Sequence, residues 1–249
     1  MAETHLDPGT ARPAPAVSGR WLKRLEITGW VLVLMLIALG LSSVLTRGVF
    51  LVEAMLDPDA VFNAFDVRYV EHPLATLFHL VPSLVIAVVG PLQFVRRFRQ
   101  RQPLLHRLCG RAFVICGLVA AASGFYVGVF YPFGGLDGPG FNQAVATTVF
   151  AAFTAFCLVR AYLSIRARNI AAHREWMIRS WALMLAIATE RTFLGLLLAT
   201  TNVDMTVLFG TTFWMAGVLN VAVAEVWINL TRTPGRGARH WKDAIQPTS

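Results

Sequence analysis

Residues 180–200, SWALMLAIATERTFLGLLLAT, are apolar almost throughout, yet they set Glu190 and Arg191 side by side near the middle. A run of this length is what a helix needs to cross a hydrocarbon core, roughly 17–25 residues. An ion at that depth is costly unless it faces the protein interior or a wet cavity. The stretch therefore predicts a membrane helix and, around it, a bundle with polar groups to meet both charges.

The rest of the chain agrees with a membrane setting. Of its 249 residues 56% are hydrophobic and only 14% charged, and the mean hydropathy is +0.58. That is too little polar surface for a water-soluble globule. Apolar runs occur six times, at about 28–46, 72–95, 111–131, 141–165, 177–200 and 206–228. The predicted fold class is all-α, an integral membrane bundle of six transmembrane helices. Residues 1–25 are expected as a disordered tail, 26–231 as the six-helix domain and 232–249 as a basic tail.

The net charge of +8 is distributed by side. Nineteen Lys and Arg residues fall in the two tails and in the second and fourth loops. The alternate loops hold only Arg47 and Arg68 against seven acids: Glu53, Asp57, Asp59, Asp66, Glu71, Asp137 and Asp204. By the positive-inside rule both termini are cytoplasmic, and the expected location is the cytoplasmic (inner) membrane. Orientation and attraction to anionic lipid headgroups account for the basic excess, so nucleic acid is not an expected partner. Cys109, Cys116 and Cys157 lie in or at the cytoplasmic border of spans, which argues against a disulfide framework. No cleavable signal is expected, and the sequon at Asn229 falls on the cytoplasmic side. The loop 48–72 mixes apolar and acidic residues and reads either as a short surface helix forming a lid or as a plain loop.

Adjacent helical residues point about 100° apart, so Glu190 and Arg191 are not expected to make the face-to-face pairing open to residues three or four apart, and each is expected to need help from elsewhere in the bundle. Counting rise from Met177 places Glu190 roughly 20 Å along its helix, about 10 Å from the outer boundary of a ~30 Å core. His79 lies at a similar depth. In the same span Pro82 frees the carbonyl of Phe78, which some group inside the bundle must satisfy because lipid cannot. Ala120, Gly124 and Gly128 form a small-residue stripe suited to close helix approach. The expected intramembrane polar site is His79, Glu190 and Arg191, with Asn220 deeper and Glu225 near the cytoplasmic boundary, where arginines can meet it. His79 and Arg191 would contact a ligand or relay charge, and Glu190 would neutralise the arginine. The plainer reading is that the same residues only hold helices together.

Several motifs occur in order: GPLQF, an arginine-rich turn, LLHRLCGR, HREWMIRSWAL and LNVAVAEVWI. Together, from about His72 to Ile228, they resemble the bacterial membrane-protein family called domain of unknown function 2306. The resemblance implies an integral membrane protein of unassigned biochemical role. The positions matching its motifs are His79, Gln93, His106, Gly110, Arg111, His173, Arg174, Met177, Arg179, Arg191, Asn220 and Glu225.

A more distant resemblance is to six-helix b-type cytochromes. Ligation of a heme by two histidines needs imidazoles from different helices. His106 and His173, at the inner ends of their spans, meet that demand for one heme b. His72 and His79 share a helix with no histidine opposite, so a second heme is disfavoured. No metalloprotease motif, phosphate loop or nucleophile elbow is present, and no metal site is expected. Three functions stay open: binding or transport of a small solute or protons at the buried polar site, heme-based electron transfer (the one case making the chain an oxidoreductase), or a scaffold subunit.

Overall fold

The structure, a computed structural model, describes residues 19–57, 59–60, 62 and 66–232. The expected tails fall largely on residues 1–18 and 233–249, outside the described residues. The chain divides into two compact units, residues 1–35 and 36–249. Of the first unit, the described part is the leading half of helix α1 (Gly19–Leu56). The second unit holds the remainder of α1 and every later helix.

After α1 come α2 (Val67–Glu71), α3 (Pro73–Phe94), α4 (Arg96–Arg101), α5 (Pro103–Phe130), α6 (Gly140–Arg166), α7 (Ile170–Thr200) and α8 (Met205–Thr231). Among the described residues all regular structure is helical. Six helices, α1, α3, α5, α6, α7 and α8, are long and apolar enough to cross a membrane. The protein is thus an all-α membrane protein with six candidate spans. In the loop 48–72, α1 continues to Leu56 and α2 forms a short helix; residues 58, 61 and 63–65 lie outside the described set.

Helix ends follow local chemistry. Pro73 and Pro103 each open a helix, where the missing N–H costs nothing. Asn169 caps α7 by accepting from the Ala172 N–H at 3.0 Å, and Asp204 caps α8 by accepting from the Thr206 N–H at 2.7 Å. Between α6 and α7 the chain turns through Arg168, whose φ is 58°.

The spans pack in sequence: α3 on α5, α5 on α6, α6 on both α7 and α8, and α7 on α8. Two glycines make this possible. The Trp181 indole of α7 sits directly on Gly90 of α3, leaving no room for a β-carbon. It also packs against Phe94 and Phe113, with ring centroids 6.4 and 5.8 Å away, and so joins three helices. Likewise the Phe150 ring of α6 occupies the space over Gly217 of α8, flanked by Phe213 and Trp214. The packing leaves α7 and α8 in contact along an antiparallel seam. One end of the bundle carries α4 and the arginine-rich turns, and the other carries α2 and the turns 131–140 and 201–205.

Candidate functional site

On α7, residues 175, 179, 182, 186 and 189–190 recur at three- to four-residue intervals and share one face. That face meets α8. Three polar rungs bridge the seam.

The first rung is Glu190, whose side chain is wholly enclosed at 0% exposure. Thr212 of α8 places its hydroxyl 3.2 Å from Glu190 Oε1. The same proton can go instead to the carbonyls of Leu208 or Phe209, at 3.0 and 3.1 Å. Arg191 Nη1 stands 3.5 Å from Glu190 Oε2, and its guanidinium lies over the Phe209 ring, 5.2 Å from the centroid. Lacking the face-to-face geometry of a three- or four-residue spacing, the two neighbours still reach each other. Their Cα–Cβ bonds do diverge, but the arginine stem has four rotatable bonds and swings its head back to the carboxylate. The expected help from another helix is also present, from Thr212 and Phe209.

The second rung is neutral. Thr189 Oγ1 donates to Asn220 Oδ1 at 3.1 Å, and Asn220 Nδ2 donates to the Ala182 carbonyl at 2.9 Å. The third rung lies at the arginine-rich end. Arg179 grips Glu225 with two parallel bonds, Nε to Oε1 at 2.5 Å and Nη2 to Oε2 at 2.9 Å. Glu175 is 2% exposed and stands 4.0 Å from Arg179 and 3.8 Å from Arg232. Arg179 also covers the Trp176 ring at 4.6 Å, and Arg174 donates to Thr231 at 2.8 Å. Glu225 thus meets an arginine, as its level suggested. Glu175, Thr189 and Thr212 do not stand out in the sequence; only the four-residue step from Glu175 to Arg179 signals the first.

His79 is held from another direction. Its Nδ1 lies 3.2 Å from the Ala120 carbonyl and 3.3 Å from Ser123 Oγ, both on α5. The ring rests over Gly124, where a β-carbon would come within 3.1 Å of Cε1. Ser123 Oγ is also 3.2 Å from the Phe78 carbonyl freed by Pro82, so α5 supplies the group that this proline demands. The structure therefore anchors His79 on α5, Glu190 and Arg191 on α8, and joins Asn220 and Glu225 of α8 back to α7. Of the other motif positions, Gln93 sits against Gly110, its Oε1 3.2 Å from where a β-carbon would stand.

His106 and His173 occupy the fourth positions of α5 and α7 and lie within electrostatic reach of each other. His173 Nδ1 is 2.9 Å from the Ala161 carbonyl and donates to it, leaving Nε2 as its second ring nitrogen. His106 Nδ1 is enclosed without a hydrogen-bond partner. Cys109, Cys116 and Cys157 are free thiols.

Fold and site together define a multi-pass α-helical membrane protein with ionic groups buried between its last two spans. Residues 76–228 match the family model described as a predicted membrane protein, DUF2306, and the chain belongs to that family. No curated protein and no solved structure matches it.

Proposed function

We propose that the α7–α8 seam is the working part of this protein and that it binds a small polar solute or relays protons. The observation that carries this reading is Glu190: a carboxylate with no exposure, inside an apolar span, held by an arginine and a hydroxyl. Intramembrane ionisable groups are rare, face the bundle interior and mark substrate, ion and proton pathways. The second and third rungs continue the polar line toward the arginine-rich end, about 16 Å away by helical rise from Glu190 to Arg179. His79 adds a titratable ring beside the turn opened by Pro82. The sidedness of the arginines supports a cytoplasmic membrane location with both termini inside, the arginine-rich loops facing anionic headgroups.

The test is reconstitution of the full chain into liposomes holding a pH-sensitive dye, with a potassium diffusion potential as driving force. Faster acidification than in protein-free liposomes supports proton relay, and solute-dependent changes in the rate support solute binding. Rates equal to empty liposomes, with no solute effect, contradict the reading.

A second reading rests on the histidine pair. The bond from His173 to Ala161 fixes the ring with its other nitrogen free, as an axial ligand to heme iron requires. A dithionite-reduced minus oxidised spectrum of protein made with ample heme decides it. Sharp alpha and Soret bands that vanish in His106→Ala and in His173→Ala support heme; their absence removes it.

A further inference from the structure

The geometry points to a binding site for an amphipathic cation in the groove between α1 and α3, with the hydrocarbon tail along the groove and the ammonium at Glu53 and Asp57. The groove lies wholly in the second unit. It is separate from the α7–α8 seam and does not rest on the function proposed for it. Its volume is about 710 Å³, within the roughly 300–1,000 Å³ of small-molecule sites. Leu45, Val49 and Val52 recur at three- to four-residue intervals on α1 and line one wall, while Leu77, Val81 and Leu84 of α3 line the other. All six are exposed. Between Leu45 and Val52, Gly48 leaves the wall hollow, since no neighbouring atom lies within 4 Å of where its β-carbon would stand. From Val44 to Asp57 the groove runs about 20 Å by helical rise.

Two acids decide what kind of molecule fits. Glu53 and Asp57 line the groove where α1 ends. They stand one helical turn apart, the Asp57 N–H still donating to the Glu53 carbonyl at 2.8 Å. Like charges at this spacing repel, and the partial negative charge at the C-terminal end of a helix adds to the repulsion. The last turn of α1 holds no basic residue to offset them. Arg47, the cation before them on the helix, is turned instead to Asp66 at 3.5 Å and over the Tyr69 ring at 4.6 Å. Among the described residues neither Glu53 nor Asp57 takes part in an ion pair. The Asp59 N–H donates to Asp57 Oδ1 at 3.1 Å, but a neutral donor leaves both charges in place. An apolar trough ending in two such carboxylates is complementary to one long tail with one positive head. A zwitterionic phospholipid fits less well, because its phosphate would arrive beside the carboxylates together with its amine.

The test uses the full chain in phosphatidylcholine nanodiscs and a dodecyltrimethylammonium probe with a photoreactive diazirine in its tail, the labelled residues being mapped by mass spectrometry. Labelling is expected on residues 44–57 of α1 and 77–84 of α3. Unlabelled dodecyltrimethylammonium should compete it away, while dodecanol, with the same tail and no charge, should not. Glu53→Gln combined with Asp57→Asn should lower the labelling about tenfold. Gly48→Leu keeps both acids but fills the trough, and should lower it as well. Both acids are exposed, and nothing stands close to Gly48, so these variants test the site without disturbing the packing. No labelling of these residues, or labelling unchanged in the double variant or in Gly48→Leu, overturns the proposal. So does competition by dodecanol as strong as by the ammonium, which would leave the groove to bilayer tails alone.

Discussion

Arg191 Nη1 lies 3.5 Å from the carboxylate of its own chain neighbour, Glu190, and that carboxylate is completely enclosed. A buried pair of this kind contributes little net stability when intact, because both ions were taken out of water to form it. Its breakage is costly, since the surviving charge is left without compensation. Glu190→Ala is therefore expected to destabilise the fold by about 3–5 kcal/mol, read as folded yield and thermal midpoint in detergent. Thr212→Val removes only a hydroxyl shared with two carbonyls and should cost about 1 kcal/mol. Equal, small effects from both would contradict the assigned geometry.

At the other end of the seam Arg179 serves two carboxylates of unequal burial. The Glu225 side chain is 39% exposed while that of Glu175 is 3% exposed, so solvent screens the first pair and not the second. Arg179→Ala should cost about 3 kcal/mol, chiefly through Glu175. Adding Glu175→Gln to Arg179→Ala should then recover part of the loss, whereas adding Glu225→Gln should recover little. A double-mutant cycle on thermal stability checks this, and the reverse order would refute the assignment.

Gly90 carries the Trp181 indole with no space between them. Gly90→Ala is expected to push the ring off α3 and destabilise by about 1–3 kcal/mol, although alanine is the better helix former. Trp181→Leu in the same background should relieve the clash. Thermal unfolding and tryptophan fluorescence of the two variants check this, and an unshifted midpoint in Gly90→Ala would contradict the packing.

Asp204 caps α8 at its N-terminus. Bonds from the Thr206 hydroxyl and backbone N–H hold its carboxyl below the ordinary value of 3.8. Because the folded pKa is depressed, the contribution is complete above the ordinary value and is lost as pH falls through the folded one. Wild type should lose thermal stability relative to Asp204→Asn as the pH drops below about 4, while above about 5 the difference should stay constant. A difference constant across the acid range would show that the cap does not titrate as assigned.

Much of the fold was legible because lipid imposes simple demands. All six spans follow from apolar length alone, and the need for a partner at the Phe78 carbonyl follows from Pro82. Ser123 meets that need, and the stripe of Ala120 and Gly124 proves to be the bed for His79. The helices overrun the apolar runs, α5 starting at Pro103 and α7 at Ile170. Backbone hydrogen bonds continue past the point where arginines replace leucines. The charge balance between Glu190 and Arg191 was legible, but their direct contact was not, because it depends on side-chain torsions rather than on the direction of the Cα–Cβ bonds. Thr212 and Glu175 were hidden for another reason: a threonine or glutamate becomes a partner only once it is known which helix it faces.

The most direct measurement is proton flux into liposomes containing Glu190→Gln, beside wild type reconstituted to the same folded density. Glutamine keeps an acceptor oxygen for Thr212, removes the charge and the titratable proton, and turns an NH2 group toward Arg191 in place of the second oxygen. If Glu190 relays protons, the variant folds and its flux falls to that of empty liposomes. Folded Glu190→Gln protein with wild-type flux would contradict that role.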